Sequence, residues 1–199
     1  MFVTFEGIDG CGKSTQAQLL AQTLQTEGLE VVTTREPGGT ALGEDIRRLL
    51  LSGDRVSPWA EAALFAAARA ELVDEVIEPA LARGAVVVCD RFLDSSLAYQ
   101  GIARGLGLDE VLTLNRPGLR NVLPDRTFQL ALPVGTALRR APRERDRIER
   151  EGRAFLERVD EAYREVAAAF PERITIVDAS GDPAEVAATV REALRPLLP

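Results

Sequence analysis

The sequence predicts a three-layer α/β domain, a five-stranded parallel sheet with helices on both faces and a short lid. Three observations carry that reading. Short apolar or β-branched runs alternate with segments of helical periodicity along the whole chain, the pattern of a parallel sheet with crossover helices. Directly after the apolar run Met1 to Phe5, the residues Gly7, Ile8, Asp9, Gly10, Cys11, Gly12, Lys13 and Ser14 fit G-x-x-x-x-G-K-[ST] at every fixed position. Ala85 to Cys89 is a continuous apolar run of the kind a central parallel strand requires. With 199 residues, 46% of them hydrophobic, the chain suits one domain, 1–199, with a lid insertion at about 141–152.

Taken in order, the first element is the strand Met1 to Phe5, and the loop after it reads as a phosphate-binding P-loop running to Thr15. Its glycines let backbone N–H groups curl around phosphate oxygens, the Lys13 ammonium reaches the outer phosphates, and the Ser14 hydroxyl is a Mg²⁺ ligand. The helix behind it, with Ala17, Leu20, Ala21 and Leu24 at helical spacing, turns its positive dipole end to the same anion. Gly28 ends that helix and Leu29 to Thr34 is a second strand. Arg35, Glu36, Pro37, Gly38 and Gly39 continue neither element and form a loop beyond a strand end, where open α/β sheets bind ligands.

A helix follows over Ala41 to Leu51, carrying Arg47 and Arg48. Ser57 and Pro58 start the longest candidate helix, reaching Leu81. Its apolar positions cover an arc of about 260°, against the roughly 100° stripe a surface helix needs. Burial on more than one side is expected, and in a chain of this size that implies a homodimer partly built by the 58–82 helix. Arg69 lies inside the apolar arc, one turn from Phe65; an unpaired buried charge is costly, so either an acidic side chain or a ligand meets it.

The third strand ends in Asp90, the Walker B position for Mg²⁺ or its water, with Arg91 immediately after it. Ser95 to Gly101 starts a polar-faced helix in which Tyr99 and Gln100 offer hydrogen bonds. Leu108 to Leu114 is a short helix and Arg126 to Leu132 the fourth strand. Arg139, Arg140, Arg143, Arg145, Arg147, Arg150 and Arg153 then fall within 15 residues, interleaved with four acids. Pro142 breaks the helix begun near Val134, so the stretch is either a flap between two helices or a solvated face laced with i,i+4 pairs. A helix over Phe155 to Phe170, a last strand over Ile174 to Val177 and a helix over Pro183 to Leu198 complete the domain.

The net charge of −7 argues against general nucleic-acid binding, and no apolar run is long enough to span a membrane. With no apparent leader before the first strand, a soluble cytoplasmic location is expected. Two cysteines and no histidine suggest neither a disulfide framework nor a zinc site. Both cysteines read as small hydrophobes or fillers; the alternative for Cys11, beside a helix N-terminus, is a favoured thiolate and oxidation sensitivity.

FEGIDGCGKST near the N-terminus, REPGGT after the second strand and DRFLDSSLAYQG after the third together resemble thymidylate kinase, in this order and at these spacings. The resemblance runs from the first strand to the closing helix and includes Asp146 to Glu149, Phe155 and Tyr163. It is to the bacterial kind, with Arg143 and Arg145 as basic catalytic residues in the lid and non-basic Asp9, Gly10 and Cys11 in the loop. It implies a P-loop nucleoside monophosphate kinase-like fold, a homodimer, and phosphorylation of dTMP to dTDP with Mg²⁺ and ATP. By the same resemblance Phe65 and Arg69 hold the thymine ring, and Arg47 and Arg91 the acceptor phosphate. Ser95, Ser96 and Gln100 line the acceptor site, Tyr99 lies beneath the sugar, and Asp9 and Glu36 sit near the acceptor. Lys13, Arg91, Arg143 and Arg145 would then be the catalytic residues, with Ser14 and Asp90 toward the metal.

Two departures stand out: Phe92 where a tyrosine or histidine is common, and Ala131 and Leu132 where an aspartate is usual, which bears on lid anchoring. The alternatives are another small nucleoside or nucleotide kinase on this scaffold, or a P-loop ATPase switch that turns over without an acceptor.

Overall fold

The computed structural model describes residues 1–52, 55–141 and 146–198. Among the described residues five strands form one sheet: β1 (Phe2–Glu6), β2 (Val31–Arg35), β3 (Val86–Asp90), β4 (Arg126–Ala131) and β5 (Ile174–Asp178). Their order is β2-β3-β1-β4-β5 and every neighbouring pair is parallel. All five residues of β1 are buried, as are the first four of β3. Because successive strand residues point to opposite faces, unbroken burial means that helices cover both sides of the sheet centre.

The helices are α1 (Lys13–Thr26), α2 (Ala41–Ser52), α3 (Pro58–Leu72), α4 (Glu78–Ala82), α5 (Leu93–Ser96), α6 (Leu108–Leu119), α7 (Val134–Arg140), α8 (Arg153–Ala169) and α9 (Pro183–Leu194). The long helix expected to begin at Ser57 is present but not uniform, because a π turn over Val73–Ile77 joins α3 to α4. Pro79 lies just beyond that turn; its ring crowds the carbonyl four residues back, and widening the helix there relieves the crowding. Ser57 stands at the N-cap position without making a side-chain cap bond. In α3, Ala62, Ala68 and Leu72 are buried, Leu64 and Phe65 half-buried, and Trp59 is 51% exposed.

A second π turn, Leu97–Ala103, follows α5 directly, so the polar-faced helix expected over Ser95 to Gly101 is a short α-helix passing into a wider one. It presents Tyr99 and Gln100 on a buried wall. The register sets Phe5 opposite Asp90, so the turns leaving β1 and β3 lie side by side at the carboxyl ends of adjacent strands.

Candidate active site

At that end of the sheet the described residues enclose two cavities that share part of their lining. The larger, about 860 Å³, is lined by Asp9 to Gln16, Arg35, Asp90 and, on its far side, Arg140, Ala179, Gly181, Pro183 and Val186. The smaller, about 100 Å³, is lined by Phe65, Arg69, Ser95, Ser96, Tyr99 and Gln100, with Asp146 and Ile148 closing one side. Asp9, Glu36, Arg47 and Arg91 line both.

The loop owes its shape to its glycines. Gly10 has φ 84°, and a Cβ there would collide with the Ala137 carbonyl oxygen. The bend leaves Lys13 at the start of α1, its ammonium on the Ile8 carbonyl at 3.0 Å and near Asp9 Oδ1 at 3.4 Å. Cys11 is buried, and burial raises its thiol pKa against the opposing pull of Lys13 and Arg91. The thiolate expected from the helix N-terminus is therefore disfavoured, because desolvation outweighs the dipole.

Ser14 Oγ donates to Asp90 Oδ2, while Asp90 Oδ1 is buried with no hydrogen-bond partner among the described residues. A hydroxyl and a carboxylate with a spare buried oxygen, facing the large cavity, form a hard oxygen donor set that fits Mg²⁺.

Arg91 adopts φ 70° and bridges the two cavities. Its Nη2 donates to Asp9 Oδ1 at 2.6 Å, and its Nη1 to the Gly7 carbonyl, Ser95 Oγ and Tyr163 OH at 3.0, 3.1 and 3.0 Å. Its Cζ stands 5.5 Å from the Tyr99 ring centroid. Burial alone would raise Asp9, but Arg91 and Lys13 hold its carboxyl well below the usual range. Behind Arg91 lies Glu6, whose pKa is raised to about 7 by burial and by the charge of Asp94, against Ser95, Arg91 and the Phe92 amide.

The buried charge of Arg69 has its answer in the second-strand loop. Glu36 Oε2 accepts from Arg69 Nε at 3.0 Å and Nη2 at 2.5 Å. Asn115 Oδ1 accepts from Nη1 at 2.5 Å, and the Phe92 carbonyl and Ser96 Oγ accept from Nη2 at 3.1 and 3.0 Å. Burial pushes Glu36 up to about 7 even though Arg69 pulls it down, and Glu36 Oε1 is left unpartnered among the described residues. Arg47 donates to the Pro37 carbonyl at 2.9 Å.

Gln100 turns to Glu61 at 2.9 Å. Glu61, 1% exposed, also receives Arg104 at 3.2 Å and Arg147 at 2.6 Å, while Arg147 Nε reaches the Leu50 carbonyl at 2.8 Å and Arg104 reaches Glu151 at 2.8 Å. Part of the arginine-rich stretch is thus tied inward against the smaller cavity, and part, as in Arg153 with Glu157, forms the i,i+4 pairs of a solvated face. Arg143 and Arg145 lie outside the described residues.

Phe92 is fully buried, edge-on to Phe2 with centroids 4.9 Å apart, so the ring serves the core with no polar group to satisfy. At the other departure, the Ala131 carbonyl accepts the Ala179 amide at 2.9 Å and Arg140 reaches the Ala179 carbonyl at 3.3 Å. Those contacts tie α7 to the loop after β5 without an aspartate.

The thymidylate kinase family model matches residues 5–190. The chain belongs to the thymidylate kinase family. The thymidylate kinase of Synechococcus sp. (strain JA-2-3B'a(2-13)) is 51% identical over 199 residues, covering 100% of this chain and 96% of that protein. That of Rhizorhabdus wittichii is 52% identical over 204 residues, covering 100% and 98%. The crystal structure of thymidylate kinase from Ehrlichia chaffeensis superposes with a TM-score of 0.83 at 34% identity, covering 98% of each chain. The activity is therefore phosphorylation of dTMP with ATP as donor, and the reading as an acceptor-free ATPase switch finds no support. No helix among the described residues is long and apolar enough to cross a membrane.

Proposed function

We propose that the larger cavity takes Mg-ATP, the smaller takes dTMP, and the γ-phosphoryl group crosses at the junction of Asp9, Glu36, Arg47 and Arg91. The observation carrying this is that these four residues, two anions and two cations, line both cavities. Backbone amides of Gly7 to Thr15 and the Lys13 ammonium hold the donor phosphates. Arg140, Ala179, Gly181, Pro183 and Val186 receive the donor nucleoside. Ser14 and Asp90 hold Mg²⁺, which when bound offsets negative charge on the donor phosphates.

On the acceptor side, Phe65 stacks on thymine and Arg69, anchored by Glu36, keeps an Nη1 N–H for the base. Ser96 and Gln100 shape the wall, and Tyr99 lies beneath the deoxyribose. At about 100 Å³ the acceptor cavity is below the 300 to 1,000 Å³ typical of ligand pockets, so nucleotide binding widens it.

The acceptor is a phosphate whose second pKa is about 6, ionised at neutral pH and needing no strong base. What the chain supplies is alignment and positive charge: Arg47 and Arg91 grip the acceptor phosphate, and Lys13, Arg143 and Arg145 neutralise charge on the transferring group. Stacking suits any base and one methyl contributes roughly 1 to 3 kcal/mol, so thymine over uracil is a modest preference and pyrimidine over purine a strong one. The enzyme acts in the cytoplasm as a homodimer joined through the 58–82 helix, which covers Trp59 and the half-buried side of α3.

Kinetics of Arg47→Ala and Arg91→Ala test the junction. Both are expected to raise the KM for dTMP and lower kcat/KM about 10²-fold or more while the KM for ATP changes little. Unchanged dTMP parameters in both variants would remove these residues from the acceptor site.

A further inference from the structure

Arg91 is surrounded by hydroxyl oxygens that must turn their own protons away from it. A guanidinium donates and never accepts, so Ser95 and Tyr163 can receive from Arg91 Nη1 only if their own protons point elsewhere. Glu6, fully buried at the end of β1, is the group they point to. Its Oε2 accepts from Ser95 Oγ at 2.6 Å and from Tyr163 OH at 3.1 Å. Its Oε1 accepts the Phe92 amide at 2.8 Å, bracing the backbone just past Arg91, whose φ of 70° is strained for a residue with a Cβ.

We propose that Glu6 is a positioning residue for phosphoryl transfer: in its ionised form the carboxylate takes up the Ser95 and Tyr163 protons and braces the Arg91 turn, fixing the guanidinium toward the acceptor phosphate. The proposal rests on the role given to Arg91 above.

Proton counting predicts what an amide does in place of this carboxylate. With its oxygen on the Phe92 amide, the side chain introduced by E6Q would turn its NH₂ to Ser95 and Tyr163, which then have one proton too many. Ser95 and Tyr163 oxygens are 2.8 Å apart, so one of the two protons fits between them. With the Ser95 proton there, the other, on buried Tyr163, is left facing the Arg91 cation. If the Tyr163 proton takes that place and the Ser95 proton turns to solvent, the Ser95 oxygen must accept from the amide, from Tyr163 and from Arg91, one donor more than its two lone pairs hold. Turning the amide round sets its NH₂ against the Phe92 N–H instead. Removing the Tyr163 hydroxyl removes the surplus proton, while Ser95, half-buried on the cavity wall, turns its own proton to solvent.

The test is steady-state kinetics of E6Q, Y163F and E6Q/Y163F, with thermal unfolding by circular dichroism. E6Q is expected to lower kcat about 10²-fold, the scale of a misaligned reacting group, with the KM for ATP nearly unchanged. The double variant is expected to recover kcat about 10-fold over E6Q, and not fully, because the surplus proton is gone but so is the Tyr163 hydroxyl that Arg91 donates to. A merely structural Glu6 gives the opposite order, since two buried defects compound. Wild-type kcat in E6Q, a double variant no faster than E6Q, or failure of both to fold overturns the proposal; an unfolded E6Q beside a folded, active double variant supports it. Arg91→Ala separates the two readings: an unchanged kcat together with an unchanged KM for dTMP there refutes the role of Arg91, whereas an Arg91→Ala enzyme impaired toward dTMP beside a normal E6Q refutes only the role of Glu6.

Discussion

Replacing Arg69 by methionine is predicted to destabilise the enzyme in a pH-dependent way. Arg69 is 1% exposed and makes five hydrogen bonds, two to Glu36 and one each to Asn115, Phe92 and Ser96. Methionine keeps much of the volume but leaves Glu36 buried without a counter-charge, a loss of about 3 to 5 kcal/mol. At about 2 to 4 °C per kcal/mol for a chain of this size, the midpoint falls by about 6 to 20 °C.

The pH dependence follows from linkage. In the wild type Glu36 titrates near 7, above its ordinary value of 4.5, so its burial lowers stability as pH rises from about 4.5 to 7 and the effect then levels off. Without Arg69 the folded pKa climbs further, the folded state keeps its proton above pH 7, and the unfolded state does not. The variant therefore continues to lose about 1.4 kcal/mol per pH unit above 7 while the wild type does not. Thermal unfolding at pH 6, 7 and 8 reads this as a widening gap between the two midpoints. A gap that is constant with pH, or a loss under about 1 kcal/mol, would falsify the buried-pair account.

Arg143→Ala or Arg145→Ala is expected to lower kcat by about 10³ or more with little change in the KM for dTMP, as for a charge that acts on the transferring group; normal kcat in both would return that stretch to a solvated face. Ser14→Ala and Asp90→Asn are each expected to raise the Mg²⁺ concentration needed for half-maximal rate by about 10-fold or more, and a shared titration curve with the wild type would move the metal elsewhere. Sedimentation at micromolar concentration is expected to give twice the chain mass of 21.6 kDa, reduced by Trp59→Glu on the exposed side of α3, and a monomer at that concentration would refute the dimer.

The parts legible in the sequence are those whose chemistry fixes spacing. The spacing of Gly7 to Ser14 is the one that lets backbone amides and Lys13 meet one phosphate chain, as proposed above, and the parallel sheet follows from the alternation of runs. Arg69 is conspicuous as a charge within an apolar arc, but its partner Glu36 is 33 residues away and comes close only through the sheet. Glu6 reads as the polar end of a strand; nothing local says that Ser95 and Tyr163 turn their hydroxyls to it. Arg140, Ala179, Gly181, Pro183 and Val186 shape the large cavity by surface and backbone, and so leave no motif by which sequence reasoning could find them. The two π turns escape it because one extra residue per turn blurs the 3.6-residue period without breaking it.

The most direct measurement is ADP release from Mg-ATP with dTMP, dUMP, UMP, AMP, GMP or no acceptor, first in the wild type and then in Phe65→Ala. The account predicts turnover with dTMP, weaker turnover with dUMP, almost none with purine nucleotides or without acceptor, and a loss in Phe65→Ala that falls on the acceptor and spares ATP. Purine monophosphates used as well as dTMP, or a Phe65→Ala enzyme with unchanged acceptor preference, would contradict the assignment of the smaller cavity to the thymine nucleotide.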